Sequence, residues 1–155
     1  MAAYSSTIYS GNIPAATGHG PYQQTAHLHA TVALPAGMLI NDTINFGYIP
    51  RNAVVAAVVL KAQTQLDSNG APTLTFDTGV TGTPQLFKAA VITVGRAVGA
   101  TVDFTIAGAG YLYKNLSGAK QAVIGTCHAA SATGVAGVIE LDLEYFVEDA
   151  VGSPA

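Results

Sequence analysis

The chain has 155 residues; half are apolar, only 10% are charged, and the net charge is −3. That length suits one domain with a sizeable core, and the charged share is well below the ~25% usual for a globular domain. The six basic residues, Arg51, Lys61, Lys88, Arg96, Lys114 and Lys120, are scattered, which argues against a surface that neutralises a run of phosphates, and so against nucleic acid as a partner.

Residues 1–26 read as an arm. Tyr4, Tyr9 and Tyr22 stand among Ser, Thr, Gly, Pro and Gln without a sustained period. Such a segment cannot bury a core of its own, so it is either solvated or laid extended on a neighbour with the tyrosines as anchors. The start, MAAYSSTIYSGN, has neither a basic nor an apolar stretch of signal-peptide type.

From residue 27 the apolar period is two, the strand signature. Leu28, Ala30, Val32 and Leu34 share one face, and His27, His29 and Thr31 the other. Ile44, Phe46 and Tyr48 alternate with Thr43, Asn45 and Gly47, and a turn follows at Pro50 and Asn52. Val54 to Leu60 is apolar on both faces, which suits burial on both sides, in a core or a subunit contact. The apolar run from Ala53 to Leu60 is too short to span a bilayer. SNGAP at 68–72 is a turn, and Leu74 and Phe76 point inward in the next strand.

After Thr83 the period changes. Thr83 suits an N-cap and Pro84 a first helical position; Leu86, Phe87, Ala90, Val91 and Val94 then share a helical face. A short helix ending near Gly95 or Gly99 is expected. Strands resume with TVDFTI at 101–106, GYLYKN at 110–115, and AKQAVIGTC at 119–127. In the last strand Ile139, Leu141, Leu143, Tyr145 and Val147 point one way and Glu140, Asp142 and Glu144 the other. With Glu148 and Asp149, five of the nine acidic residues lie here, as a solvated face or as a stripe that meets a basic partner. The expected architecture is an all-β, jelly-roll-like β-sandwich over 27–149, with one short helix, an extended N-terminal arm over 1–26 and a tail over 150–155.

Candidate chemistry is sparse. Asp77-Thr78-Gly79 after an apolar strand is similar to the aspartate loop of aspartic proteases, and Val123-Ile124-Gly125 to the segment that packs behind it. That chemistry needs two aspartates sharing a proton, here a homodimer. Val80 stands where that family has Ala or Ser, and no flap hairpin is evident. The competing reading makes Asp77 a turn residue that binds backbone N–H groups, with Gly79 and Gly82 supplying unusual φ angles. His27 and His29, ~7 Å apart along one strand face, have chelating spacing, with His19 or His128 as a further ligand; carboxylates are scarce nearby, Asp42 being the closest in sequence. The plainer reading is two polar-face histidines, whose protonation would loosen an interface if one covered them. Cys127 is alone and reads as a small buried hydrophobe. Ser131 lacks an elbow motif, no glycine-rich loop carries a phosphate-binding Lys, and Trp is absent. No cofactor or metal is called for.

The string Leu74-Thr75-Phe76-Asp77-Thr78-Gly79, then Gly82-Thr83-Pro84-Gln85-Leu86-Phe87 and Gly95-Arg96-Ala97, with Leu143-Glu144-Tyr145 in the last strand, resembles tailed-bacteriophage head structural proteins of the decoration (cement) kind. The resemblance covers roughly residues 40–147. It implies a non-enzymatic jelly-roll-like domain, made in the host cytoplasm, that forms homo-oligomers, often trimers. It further implies binding of the major capsid protein on the outside of the virion, with stabilisation of the shell. Tyr4, Tyr9 and Tyr22 would then be arm contacts. A head-fibre or tail-associated module that contacts a host surface is the alternative, and a homodimeric protease using Asp77 the remote one.

Overall fold

A computed structural model describes residues 3–5, 7–8, 25–91, 101–104 and 112–148. Ten strands lie among them: β1 (Ala3–Ser5), β2 (Thr7–Ile8), β3 (Thr25–Leu34), β4 (Thr43–Ile49), β5 (Ala53–Ala62), β6 (Thr75–Val80), β7 (Thr83–Val91), β8 (Thr101–Phe104), β9 (Gln121–Ala129) and β10 (Gly137–Val147). They form two five-stranded sheets, ordered β1-β4-β9-β6-β7 and β2-β3-β10-β5-β8. The eight longer strands obey one rule. β3 pairs with β10, β4 with β9, β5 with β8 and β6 with β7, all antiparallel, as in a single long ribbon folded at its middle. The ribbon then winds on itself, so that β10 also pairs with β5 and β9 with β6. The result is a β-sandwich whose winding is compatible with the jelly-roll-like expectation.

Alternation explains which side each strand buries. On β3, Leu28, Ala30, Val32 and Leu34 are buried; on β10, Ile139, Leu141, Leu143 and Tyr145 are. They join Ile44, Phe46, Val55, Val58, Leu60, Phe76, Val123 and Cys127 in one core. Each buried Val, Leu, Ile or Phe among them contributes about 1.5–3 kcal/mol by leaving water. Val54 is also buried, although it stands outside this core; the 112–115 segment pairs beside it, with a β-bridge between Lys114 and Val54 and the Val55 N–H donating to the Tyr113 carbonyl at 2.9 Å. The expectation of two-sided burial over Val54–Leu60 therefore holds at its start.

Three expectations are corrected. No helix occurs among the described residues of the 83–95 stretch. Thr81 and Gly82 instead turn a tight hairpin, and Thr83–Val91 returns as the edge strand β7. Pro84 is tolerated there because an edge strand leaves N–H groups unpaired. Tyr48 does not continue the inward face of Ile44 and Phe46. A bulge shifts the register between Asn45 and Gly47; Gly47 takes φ 136°, a value costly for any other residue, and its N–H donates to Asn45 Oδ1 at 3.0 Å. The extra residue reverses the pleat, so Ile49 is buried and Tyr48 exposed. Residues 112–115 form no strand beyond the Lys114 bridge; Asn115 organises them as a loop, its Nδ2 donating to the Pro50 and Ala119 carbonyls. Within the expected arm, residues 3–5 and 7–8 pair along the sheet edges: β1 runs parallel to β4 and β2 antiparallel to β3. The arm expectation for Tyr9 and Tyr22 falls outside the described residues.

Asp67 fastens one end of the sandwich. It is fully buried and accepts from the backbone N–H of Thr73 (2.8 Å), Leu74 (3.1 Å), Ala132 (3.0 Å), Thr133 (3.0 Å) and Asn69 (3.3 Å). Burial opposes its ionisation, yet the N–H groups of Thr133, Ala132, Thr73 and Leu74 outweigh that and hold the carboxyl far below the ordinary carboxylate range. The unfolded chain binds the proton near pH 4, whereas the folded chain resists it. The stabilisation is therefore complete above about pH 5 and lost as pH falls from ~4 toward the lower folded value. Asp67→Ala should cost about 3 kcal/mol or more at pH 7, by stranding buried donors. Asp67→Asn should flatten the acid limb of the stability–pH curve; urea titrations at pH 7 and pH 3 check both.

Candidate interaction surfaces

The Asp77 region comes first because it carries the protease-like string. Asp77 lies inside β6, between β9 and β7, and is only 5% exposed. Its Oδ1 accepts from the Ala90 N–H at 2.7 Å, and its Oδ2 from Gln85 Nε2 at 2.9 Å, with His128 Nδ1 3.1 Å from the same oxygen. Burial pushes the carboxyl upward, but the Ala90 N–H, Gln85 and the His128 ring prevail and hold it below its ordinary value. Ala90 sits at φ 48°, a conformation an L-residue adopts at a cost, and Asp77 holds it there. Gly79 is glycine because a Cβ would lie 2.3 Å from the Thr83 carbonyl oxygen, where β7 crosses close by. At Gly125 a Cβ would meet the Phe46 ring at 2.9 Å. The turn reading of Asp77 is thus right in kind, since it binds a backbone N–H, but its partners lie across the hairpin and on β9. A carboxylate enclosed this way does not face a second copy's Asp77.

The outer face of the second sheet carries matched charges. In the β3–β10 register His29 stands opposite Asp142 and His27 opposite Glu144. His27 Nδ1 is 3.2 Å from Asp142 Oδ1, and His29 Nε2 is 3.3 Å from Glu140 Oε1. Gln63 Nε2 donates to Glu140 Oε2 at 2.7 Å, and Lys61 stands opposite Glu140 on β5. Glu140 and Asp142 of the acidic stripe are therefore answered from within the sheet. Sequence reading had both alternations in hand but not the register that brings them together. Among the described residues no group of His, Cys, Asp and Glu is placed to hold a metal ion. His128 belongs to the Asp77 cluster, and Asp42 is buried, receiving the Leu39 N–H at 3.0 Å.

The outer face of the first sheet differs. Thr43, Asn45, Tyr48, Lys120, Gln121 and Ile124 line a shallow open groove of about 760 Å³. Lys120 Nζ lies 4.5 Å from the centre of the Tyr48 ring, a cation–π contact made possible by the bulge that turned Tyr48 outward. No carboxylate lines the groove. At the sandwich ends Leu39, Ile40, Leu112 and Leu116 are exposed. Cys127 is buried and free, and burial together with the nearby Asp42 and Asp77 pushes its thiol up to about 11. It is a core residue and not a nucleophile. Tyr4 lies in β1 opposite Ile44.

Two solved structures share this fold along nearly all of the chain. A chain of the cyanophage Pam1 capsid asymmetric unit is 25% identical, covering 86% of this chain and 92% of that one, with a TM-score of 0.70. A chain of the capsid of Ralstonia phage GP4 is 26% identical, covering 96% of this chain and 100% of that one, with a TM-score of 0.71. No family model and no curated protein matches the sequence. The resemblance to phage head proteins is thereby borne out at the level of a phage capsid-related protein.

Asp77→Asn should lower stability by about 1–2 kcal/mol, since it weakens charge-assisted bonds while leaving the carbonyl oxygen to accept one of them. Neither it nor the wild type should cleave an unstructured protein substrate between pH 3 and 6, checked by mass spectrometry of the digest.

Proposed function

We propose that this protein is a non-enzymatic structural component of a phage virion, a decoration (cement) protein that binds the outside of the capsid lattice through the major capsid protein and stabilises the shell. The observation that carries this reading is the match of the entire sandwich to chains of two phage capsids, each of which is itself covered almost completely by this fold. Those capsid chains are therefore single sandwiches of about this size. The charge-poor composition and the structural use of Asp67 and Asp77 agree with it.

The mechanism is mass action. A protein that binds only the assembled lattice stabilises it by its binding free energy, summed over sites. Presentation as a homotrimer suits threefold positions of a shell and multiplies weak contacts. Tyr4, Tyr9 and Tyr22 are the proposed arm contacts; the backbone of Tyr4 is already paired to β4, which leaves Tyr9 and Tyr22 as the stronger candidates for reaching the lattice.

Purified protein added to shells that lack it should co-sediment with them and raise their disruption temperature by several degrees. Tyr9→Ala combined with Tyr22→Ala should weaken co-sedimentation at least tenfold while leaving the melting temperature of the free protein unchanged. Failure of the wild type to bind shells of its own phage would overturn the reading.

A further inference from the structure

Residues 3–8 do an unusual thing with very little chain. β1 adds to the outer edge of the first sheet, with Ala3, Tyr4 and Ser5 in parallel register against Thr43, Ile44 and Asn45. After one intervening residue, β2 adds to the outer edge of the second sheet, with Thr7 and Ile8 against Thr31 and Ala30. A single short strap thus closes the seam between the two sheets. Without it, β3 and β4 would both be end strands, each with a row of unsatisfied backbone groups.

The strap is joined to the body by sixteen residues, 9–24, before β3 begins at Thr25. Hairpins that keep neighbouring strands together use loops of about 2–5 residues. Ile8 lies opposite Ala30, five positions along β3 from Thr25, a distance of roughly 17 Å at strand rise. Sixteen residues can span up to about 50 Å, more than the ~30–40 Å breadth expected of a domain this size. The connection is thus long enough to set the strap on the same seam of an adjacent copy. The strap's strand pairing is between main chains, and the seam is identical in every copy. The same bonds therefore form in either arrangement, and exchange between copies costs little.

We propose that in the assembled protein the strap is donated to a second copy: residues 3–5 and 7–8 of one chain complete the β4 and β3 edges of the next. Exchange that closes on itself, whether reciprocal between two copies or in turn around a larger ring, leaves no seam open. The inference rests on the capsid-component reading only for the setting in which the exchange is used.

The test uses Thr7 and Thr31, which are register partners in an antiparallel pair, a placement whose Cα spacing suits a disulfide. The double variant Thr7→Cys and Thr31→Cys is oxidised in its native, full-length form, then denatured without reductant and weighed. Cys127 is buried and stays out of the reaction; Thr7→Cys alone is the control. Exchange predicts that most of the chain appears as covalent multimers that collapse to single chains on reduction. A single chain carrying an internal disulfide would overturn the proposal, because the strap then pairs at home. A single chain with both new thiols free would overturn it too, because the strap then occupies neither seam. Shell binding by the reduced protein, measured on the same preparation, reports separately on the capsid reading.

Discussion

The register of β10 is the constraint on which the rest of the molecule depends. This strand lies between β3 and β5, pairing with β3 from Gly137 through Phe146 and with β5 along almost its whole length. Side chains alternate at a period of two, so a slip of one residue would turn Glu140, Asp142 and Glu144 into the core and expel Ile139, Leu141 and Leu143. Such a slip would set several unpaired carboxylates against apolar side chains, a cost of several kcal/mol each. The same register brings His27 and His29 over the carboxylates of β10 on the other face. Core and outer ladder are thus two consequences of one alignment.

With so few acidic groups available, their placement is informative. Asp42, Asp67 and Asp77 are buried and accept backbone N–H groups at loops and in the β6–β7 hairpin. Two of them hold segments far apart in sequence: Asp67 joins 69–74 to 132–133, and Asp77 joins β6 to β7 and β9. A buried carboxylate that receives several N–H bonds is strongly held, and removal of its charge strands those donors. Three of the carboxylates therefore act as internal fasteners, and Glu140 and Asp142 of the β10 stripe, together with Glu148 on Lys114 (2.6 Å), are answered by neighbouring partners.

What could be read from the sequence divides along the same line between local and distant causes. β3, β5 and β10 were legible because burial on one face writes a period of two into the chain. The β7 segment was misread as a helix because Thr83-Pro84 and the spacing of Leu86, Phe87 and Ala90 satisfy helical rules locally. What makes it a strand is the two-residue turn before it and the bond from Ala90 back to Asp77. Tyr48 was placed inside because a bulge leaves no mark in a hydropathy pattern, although an Asn–x–Gly sequence (Asn45 to Gly47) is the kind of place to expect one. Asp67 was passed over beside an obvious turn, since two of its donors lie some 65 residues away. Asn115 was put in a strand, for want of any local sign that its side chain binds the Pro50 and Ala119 carbonyls.

The two outer faces of the sandwich consequently differ in what they can bind. The second sheet's face is a ladder of imidazoles, carboxylates and an amide that already answer one another, so a partner covering it would have to displace or desolvate those pairs. The first sheet's face presents threonine, asparagine, glutamine and isoleucine around Tyr48 with Lys120 upon it, and removing water from such groups costs less. On the decoration reading, a contact repeated at every lattice position gains by summation and does not need large individual terms. The face without carboxylates is then the better suited to the shell or to a sister subunit. The N-terminal strap borders it directly, since β1 is the strand next to β4, so closure of the seam and presentation of the groove are properties of one edge.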